Sequence, residues 1–98
     1  MYYFVYILYN IKTRKYYIGR TINVNKRYKE HKAGLNKSTK YKCFAWKFIY
    51  AEIYLSERDA INRERRLKSH GSGLVEIKKR TINSISLINF KTGEGLML

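Results

Sequence analysis

The sequence predicts an α+β fold, a small three-stranded antiparallel sheet flanked by helices, in the order ββαβα with a terminal helix. Three observations carry this expectation. An aromatic and β-branched run near the N-terminus is followed, after a short polar stretch, by a second one. Two later segments have helical apolar spacing and are bounded by capping residues and glycines. A third extended run lies between those two helices.

Tyr2 to Tyr9 (YYFVYILY) is apolar at nearly every position, which predicts a strand covered on both faces. Asn10-Ile-Lys-Thr-Arg14 reads as a turn and Lys15 to Arg20 (KYYIGR) as the second strand. A connection this short implies an antiparallel hairpin. Thr21 or Asn23 can cap a helix from Val24 to Ala33, stopped by Gly34, with Val24, Tyr28, His31 and Leu35 along one stripe. Leu35 to Lys42 is a lysine-rich loop. Trp46 to Leu55 predicts the third strand, with Trp46, Phe48 and Tyr50 on one face and Lys47, Ile49 and Ala51 on the other. Ser56 and Asp59 form a capping box that opens a helix to Ser69, closed by Gly71-Ser-Gly73. Leu74 to Arg80 is a last short helix. The domain is expected over 1–80, with 81–98 as a C-terminal extension, either a strand or a loose tail.

The chain has 98 residues, with 21 Lys and Arg against 7 Asp and Glu, a net charge of +14. At 45% hydrophobic and 15% aromatic it is too apolar for a disordered basic tail. Such a charge on so small a body attracts polyanions, nucleic acid first and an anionic membrane surface second. The single cysteine, Cys43, excludes an internal disulfide and a cysteine zinc site, which points to a reducing, cytoplasmic compartment. Met1 to Tyr9 is far short of the ~20 residues of a membrane helix and lacks the basic start of a signal peptide. No membrane association is expected.

Three groups of residues invite chemistry. Glu64 falls four residues after Ala60 and three before Leu67, inside the apolar stripe of its helix. A carboxylate there needs a partner or a metal. An ordinary Glu64–Lys68 pair is an equally good reading, and Arg63, Arg65 and Arg66 are other possible partners. Arg27 and His31 lie four apart on the first helix and can both face the sheet, although a solvated Arg and a satisfied His are the commoner cases. Tyr6 and Tyr17 share a face only if paired residue numbers sum to an odd value, which needs an even-numbered turn. Gly19, in a strand, suggests close backbone approach or a bulge. With 10 tyrosines in the chain, core packing is the default for any one of them.

Phe4-Val5-Tyr6, Tyr17-Ile18-Gly19, Arg20-Thr21, Arg27, His31 and Arg63-Glu64 with Leu67-Lys68 together resemble the GIY-YIG endonuclease superfamily, in particular its small single-domain bacterial members. The likeness spans Tyr2 to Arg80. It rests on the combination, since the tripeptide Tyr17-Ile18-Gly19 alone is weak. The resemblance implies metal-dependent hydrolysis of DNA phosphodiester bonds. It makes Glu64 the ligand of Mg²⁺ (or Mn²⁺) and Arg27 the stabiliser of phosphate charge. Tyr6 and Tyr17 become the motif tyrosines, one of which deprotonates or positions water, and His31 becomes a supporting residue. Gly19, Arg20, Lys26, Lys40, Lys42 and Lys68 are the expected substrate-contacting positions. Arg20, Arg27 and a metal would favour the phenolate of a nearby tyrosine. Two departures stand out: the first motif lacks its glycine, and neither Glu76 nor Asn83 is a clear equivalent of the Asn many relatives place after the metal-binding helix.

From Lys12 to Lys47 there are twelve Lys or Arg and one acid, Glu30, so the charge is concentrated in the first half. There Tyr41, Phe44 and Trp46 interleave with Lys40, Lys42 and Lys47, a pattern suited to backbone contact and base stacking, although Trp46 reads better as core. Related nucleases with sharp target choice often have a further DNA-recognition domain, and none is seen in this sequence. The expectation is therefore a DNA endonuclease of low sequence specificity, acting in repair or recombination, drawn to a DNA structure or damaged strand or brought there by a recruiting protein. The alternatives are a non-catalytic nucleic-acid-binding module with the same basic face and a basic component of an RNA–protein particle. Oligomeric state is not encoded in any motif.

Overall fold

A computed structural model describes residues 1–69 and 72–85. Its elements are β1 (Tyr3–Asn10), β2 (Tyr16–Thr21), α1 (Val24–Lys32), β3 (Trp46–Tyr54), α2 (Glu57–Lys68) and α3 (Ser72–Arg80). The three strands form one antiparallel sheet in the order β2-β1-β3. The predicted α+β fold is the observed one.

β1 is the central strand, and every residue from Val5 to Asn10 is buried. That explains its unbroken apolar sequence: one face serves each side of the sheet. Toward α2 and α3, Val5, Ile7 and Ile18 pack with Ala60, Leu67 and Ile77. On the α1 side, Tyr6, Leu8 and Trp46 pack with Tyr17, Tyr28 and Phe48. The second layer is mostly aromatic, so rings rather than a long apolar helix fill the space under the short α1. Burial of Val5, Ile7, Leu8, Leu67 and Ile77 contributes about 1.5–3 kcal/mol each.

Helix ends follow the sequence. Asn23, of the two candidates, caps α1 by accepting from the Lys26 amide at 3.1 Å. Gly34 follows the helix at φ +76°, a conformation other residues rarely adopt. Ser56 caps α2 by accepting from the Asp59 amide at 3.4 Å.

Three expectations change. The even alternation in β3 fails after Phe48, because Leu8 pairs with Phe48 and Ile7 with Tyr50, leaving Ile49 as the extra residue of a bulge. Tyr50 therefore joins the α2-side core with Ile49, and Ala51 takes the α1 side opposite Tyr6. The last helix begins at Ser72 rather than Leu74. Ile82 to Ile85 form a further helical turn where a strand or tail was expected, while 86–98 lies outside the described residues.

The hairpin turn is built around buried Asn10. Its Oδ1 accepts from the Lys12 and Thr13 amides, both at 2.9 Å, and its Nδ2 donates to the Lys42 carbonyl at 3.0 Å. One amide thus fixes both the turn and the distant lysine loop. Asn10→Ala should cost about 2–3 kcal/mol by leaving buried backbone groups unpaired. Urea unfolding monitored by circular dichroism measures this as a lower midpoint at unchanged slope.

Candidate active site

The hairpin register sets the site. Tyr6 lies opposite Gly19 and Leu8 opposite Tyr17, so the residue numbers sum to 25 and both tyrosines face α1. A Cβ at Gly19 would overlap the Tyr6 hydroxyl and come within 2.9 Å of the Tyr17 ring. Glycine is required there because the phenol occupies the space above its backbone.

On α1, His31 is one turn beyond Arg27, and both reach the tyrosines. The Tyr6 hydroxyl donates to His31 Nε2 at 2.7 Å, and His31 Nδ1 lies 2.7 Å from Thr39 Oγ1. Thr39 Oγ1 can give its own proton to the Asn36 carbonyl, 3.5 Å away, and on that basis the neutral ring is assigned with Nδ1–H donating to Thr39 and Nε2 accepting from Tyr6. The chain of donors therefore runs Tyr6 to His31 to Thr39. Its members are buried: Tyr6 is 1% exposed and His31 0%. The Thr39 carbonyl accepts from Trp46 Nε1 at 2.9 Å, which ties the loop to β3.

Burial pushes the Tyr6 phenol up to about 12, with Arg27 opposing the rise and the Tyr17 and Glu64 charges adding to it. Burial outweighs the basic surroundings, so Tyr6 is protonated at pH 7. His31 is pulled down to about 4, by burial first and then by Arg27, with Glu30 opposing. It is a neutral imidazole at pH 7. Burial works against the Arg27 cation, but hydrogen bonding to Tyr6, Glu30 and Tyr17 more than offsets it. The Arg27–Glu30 pair is 3.2 Å long. Tyr17 is the part-exposed tyrosine of the pair, stacked edge-on to His31 with ring centres 4.8 Å apart.

Glu64 stands on α2, on the other side of the sheet, and its side chain is 16% exposed. Arg20 Nε, from the edge strand β2, lies 3.2 Å from Glu64 Oε1, and Lys68 Nζ lies 3.0 Å from Oε2. Both cations thus satisfy the carboxylate, and its charge adds slightly to the rise of the Tyr6 phenol. Arg63 is taken elsewhere, in a bidentate pair with Glu52 at 2.8 and 2.9 Å. Among the described residues no three His, Cys, Asp or Glu side chains gather. A lone carboxylate of this kind fits Mg²⁺ or Mn²⁺ that keeps most of its waters, and does not fit a structural zinc site.

The structure thus brings together Tyr6, Tyr17, Gly19, Arg27 and His31 on the α1 side, and Arg20, Glu64 and Lys68 at the β2 edge. Lys40 and Lys42 are exposed on the loop that carries Thr39, and Lys26 is exposed on the first turn of α1. Glu76 is exposed and pairs with Arg80 at 3.9 Å, and Asn83 is also exposed. Sequence reading missed Thr39, which nothing distinguishes from other polar residues of a lysine-rich loop. It also missed Glu52, held by Arg63, Tyr50 and Tyr54, because the bulge that turns these residues together leaves no mark in the pattern.

A family model described as the GIY-YIG catalytic domain matches residues 2–82. No curated protein and no solved structure gives a significant match.

The depressed His31 links stability to pH. Between pH 6.5 and about 4 the unfolded chain takes up a proton on this residue that the folded chain refuses. Its contribution is present above pH 6.5 and is lost as pH falls toward 4, by an amount of up to about 3 kcal/mol. Comparing unfolding free energies of wild type and His31→Gln across this range should show the steeper fall in wild type.

Proposed function

The chain belongs to the GIY-YIG family, a family of nucleases, and from that premise we propose a divalent-metal-dependent endonuclease that hydrolyses DNA phosphodiester bonds with low sequence specificity. The observation that carries the reading is the cluster on the α1 face: Arg27 one helical turn from His31, which bonds Tyr6 and packs edge-on against Tyr17. A phosphodiester is protected by its negative charge, and fixed positive charge at the reacting phosphate is the main lever against that protection.

Arg27 is offered to the phosphate oxygens. Glu64 would hold Mg²⁺ or Mn²⁺, which adds positive charge at the phosphate when bound. Tyr17 is the part-exposed tyrosine of the two, which supports its hydroxyl as the one that holds the attacking water. Tyr6 and His31 are sealed from solvent and act as positioning residues: their hydrogen bond fixes the wall against which Tyr17 and Arg27 rest. Gly19 keeps that wall flat. Arg20 and Lys68 bring cations to the same edge, and exposed Lys26, Lys40 and Lys42 hold flanking backbone by releasing counterions.

Phosphate contacts of this kind carry little sequence information, which supports low specificity. Repair or recombination suits such an enzyme, with target choice left to DNA structure or a recruiting protein. No described helix is long and apolar enough to cross a membrane, and the free thiol of Cys43 suits the cytoplasm. One observation favours the binding-only reading: both oxygens of Glu64 already have cation partners.

Nicking of supercoiled plasmid separates the two. Wild type with Mg²⁺ or Mn²⁺ should cut, chelator should stop it, and Glu64→Gln and Arg27→Ala should each lose about 10²–10³-fold. Equal rates for wild type and Glu64→Gln would leave only binding. Within the site, Tyr17→Phe should lower cutting by about 10²-fold at unchanged stability, whereas Tyr6→Phe should lower stability by about 1–3 kcal/mol through an unpaired His31 nitrogen. Rates alongside thermal melts distinguish the two tyrosines.

A further inference from the structure

Between α1 and β3 the chain forms two 3₁₀ turns, Lys37–Thr39 and Cys43–Ala45, and displays two large aromatic rings, Tyr41 between the turns and Phe44 within the second. Tyr41 is 73% exposed and Phe44 61%, whereas Trp46, from the same aromatic series, is buried in the core. The loop that carries them is firmly built. The Lys42 carbonyl is tied to Asn10, the Thr39 hydroxyl to His31 and the Thr39 carbonyl to Trp46. Lys42 holds a left-handed conformation at φ +49°, and its ammonium lies 5.5 Å from the centre of the Tyr41 ring.

A fixed loop has no need of exposed rings for its own stability, and fixed rings lose little entropy on binding a flat partner. The surroundings say which partner. Lys37, Lys40 and Lys42 are exposed beside the rings, and no acid occurs between Glu30 and Glu52. Lys47, at the start of β3, is close enough to Lys32 to hold that ammonium below its ordinary value, after burial. Neither of these lysines is in a salt bridge among the described residues. Aromatic faces set among unpaired cations match an unstacked base joined to a phosphate backbone. A paired duplex hides its base faces, so it offers the rings nothing.

Granted the DNA-cutting function proposed above, we infer that the 37–47 loop selects DNA with unpaired bases, Tyr41 and Phe44 stacking on them while Lys40, Lys42 and Lys47 hold the adjoining backbone. The loop is bonded to His31 through Thr39, which joins it to the face of the sheet that carries Tyr6 and Tyr17. The substrate class is then a bulge, gap, flap or single strand rather than intact duplex.

The test uses binding by the full chain carrying Glu64→Gln, so it does not depend on cutting. Three DNAs of equal length contain 2-aminopurine: a perfect duplex, a duplex with a short unpaired loop, and a single strand. Unpaired DNA should bind about tenfold more tightly than duplex at 150 mM salt, with quenching of the probe as it stacks. Tyr41→Ala with Phe44→Ala in that background should remove most of the preference and the quenching, whereas Phe44→Trp should keep both. Equal affinity for duplex and unpaired DNA, or a preference unchanged in the double variant, overturns the inference even if wild type nicks plasmid. A clear preference in a protein that cuts nothing would instead retain the loop's role and remove the nuclease reading.

Discussion

The hydrogen-bonded chain from Tyr6 through His31 to Thr39 is the constraint on which the molecule turns. Its three residues come from the central strand, the first helix and the lysine loop, so one buried network joins three separate parts of the chain. Low dielectric strengthens these bonds and makes any broken one expensive. The neutral state of His31 follows from the same burial, because a charged imidazole would need solvation that the site does not offer. Around this fixed wall Tyr17 and Arg27 acquire definite positions, and the exposed loop acquires a rigid base.

Charge has two uses in the structure. Among the described residues most Lys and Arg side chains are exposed and outside the salt bridges, free to meet a polyanion. The few acids are spent carefully: Glu52 locks β3 to α2 through Arg63 and two phenols, and Glu64 gathers Arg20 and Lys68 at the edge of the sheet. In Glu52 the bonds from Arg63, Tyr54 and Tyr50 more than offset burial and hold the carboxyl below its ordinary value. Its partners satisfy it fully, which makes it a structural clasp. Glu64 is equally shielded but is held by cations alone, one of them the exposed Lys68.

Much of this was legible in the residues. Helix boundaries at Asn23, Gly34 and Ser56 are local chemistry, settled by one or two neighbours. The buried character of β1 is written in its unbroken apolar run. The shared face of Tyr6 and Tyr17 was readable only as a condition on the turn, and the observed register meets it. What stayed hidden depends on events between distant segments. The bulge at Ile49 reverses the side on which Tyr50 and Glu52 lie, and pattern alone cannot reveal it, since an inserted residue looks like any other. Thr39 matters because His31 and Trp46 reach it from elsewhere.

By itself, then, the sequence determined which segments are helix and strand, how strongly basic the surface is and which residue types are available for chemistry. Those properties arise from backbone propensity, apolar periodicity and charge, all short in range. The tertiary structure decided the protonation of Tyr6 and His31, the partners of Glu64 and the exposure of Tyr41 and Phe44 but not Trp46. These depend on burial and on contacts across tens of residues, because desolvation is a property of a three-dimensional surrounding and not of a position along the chain.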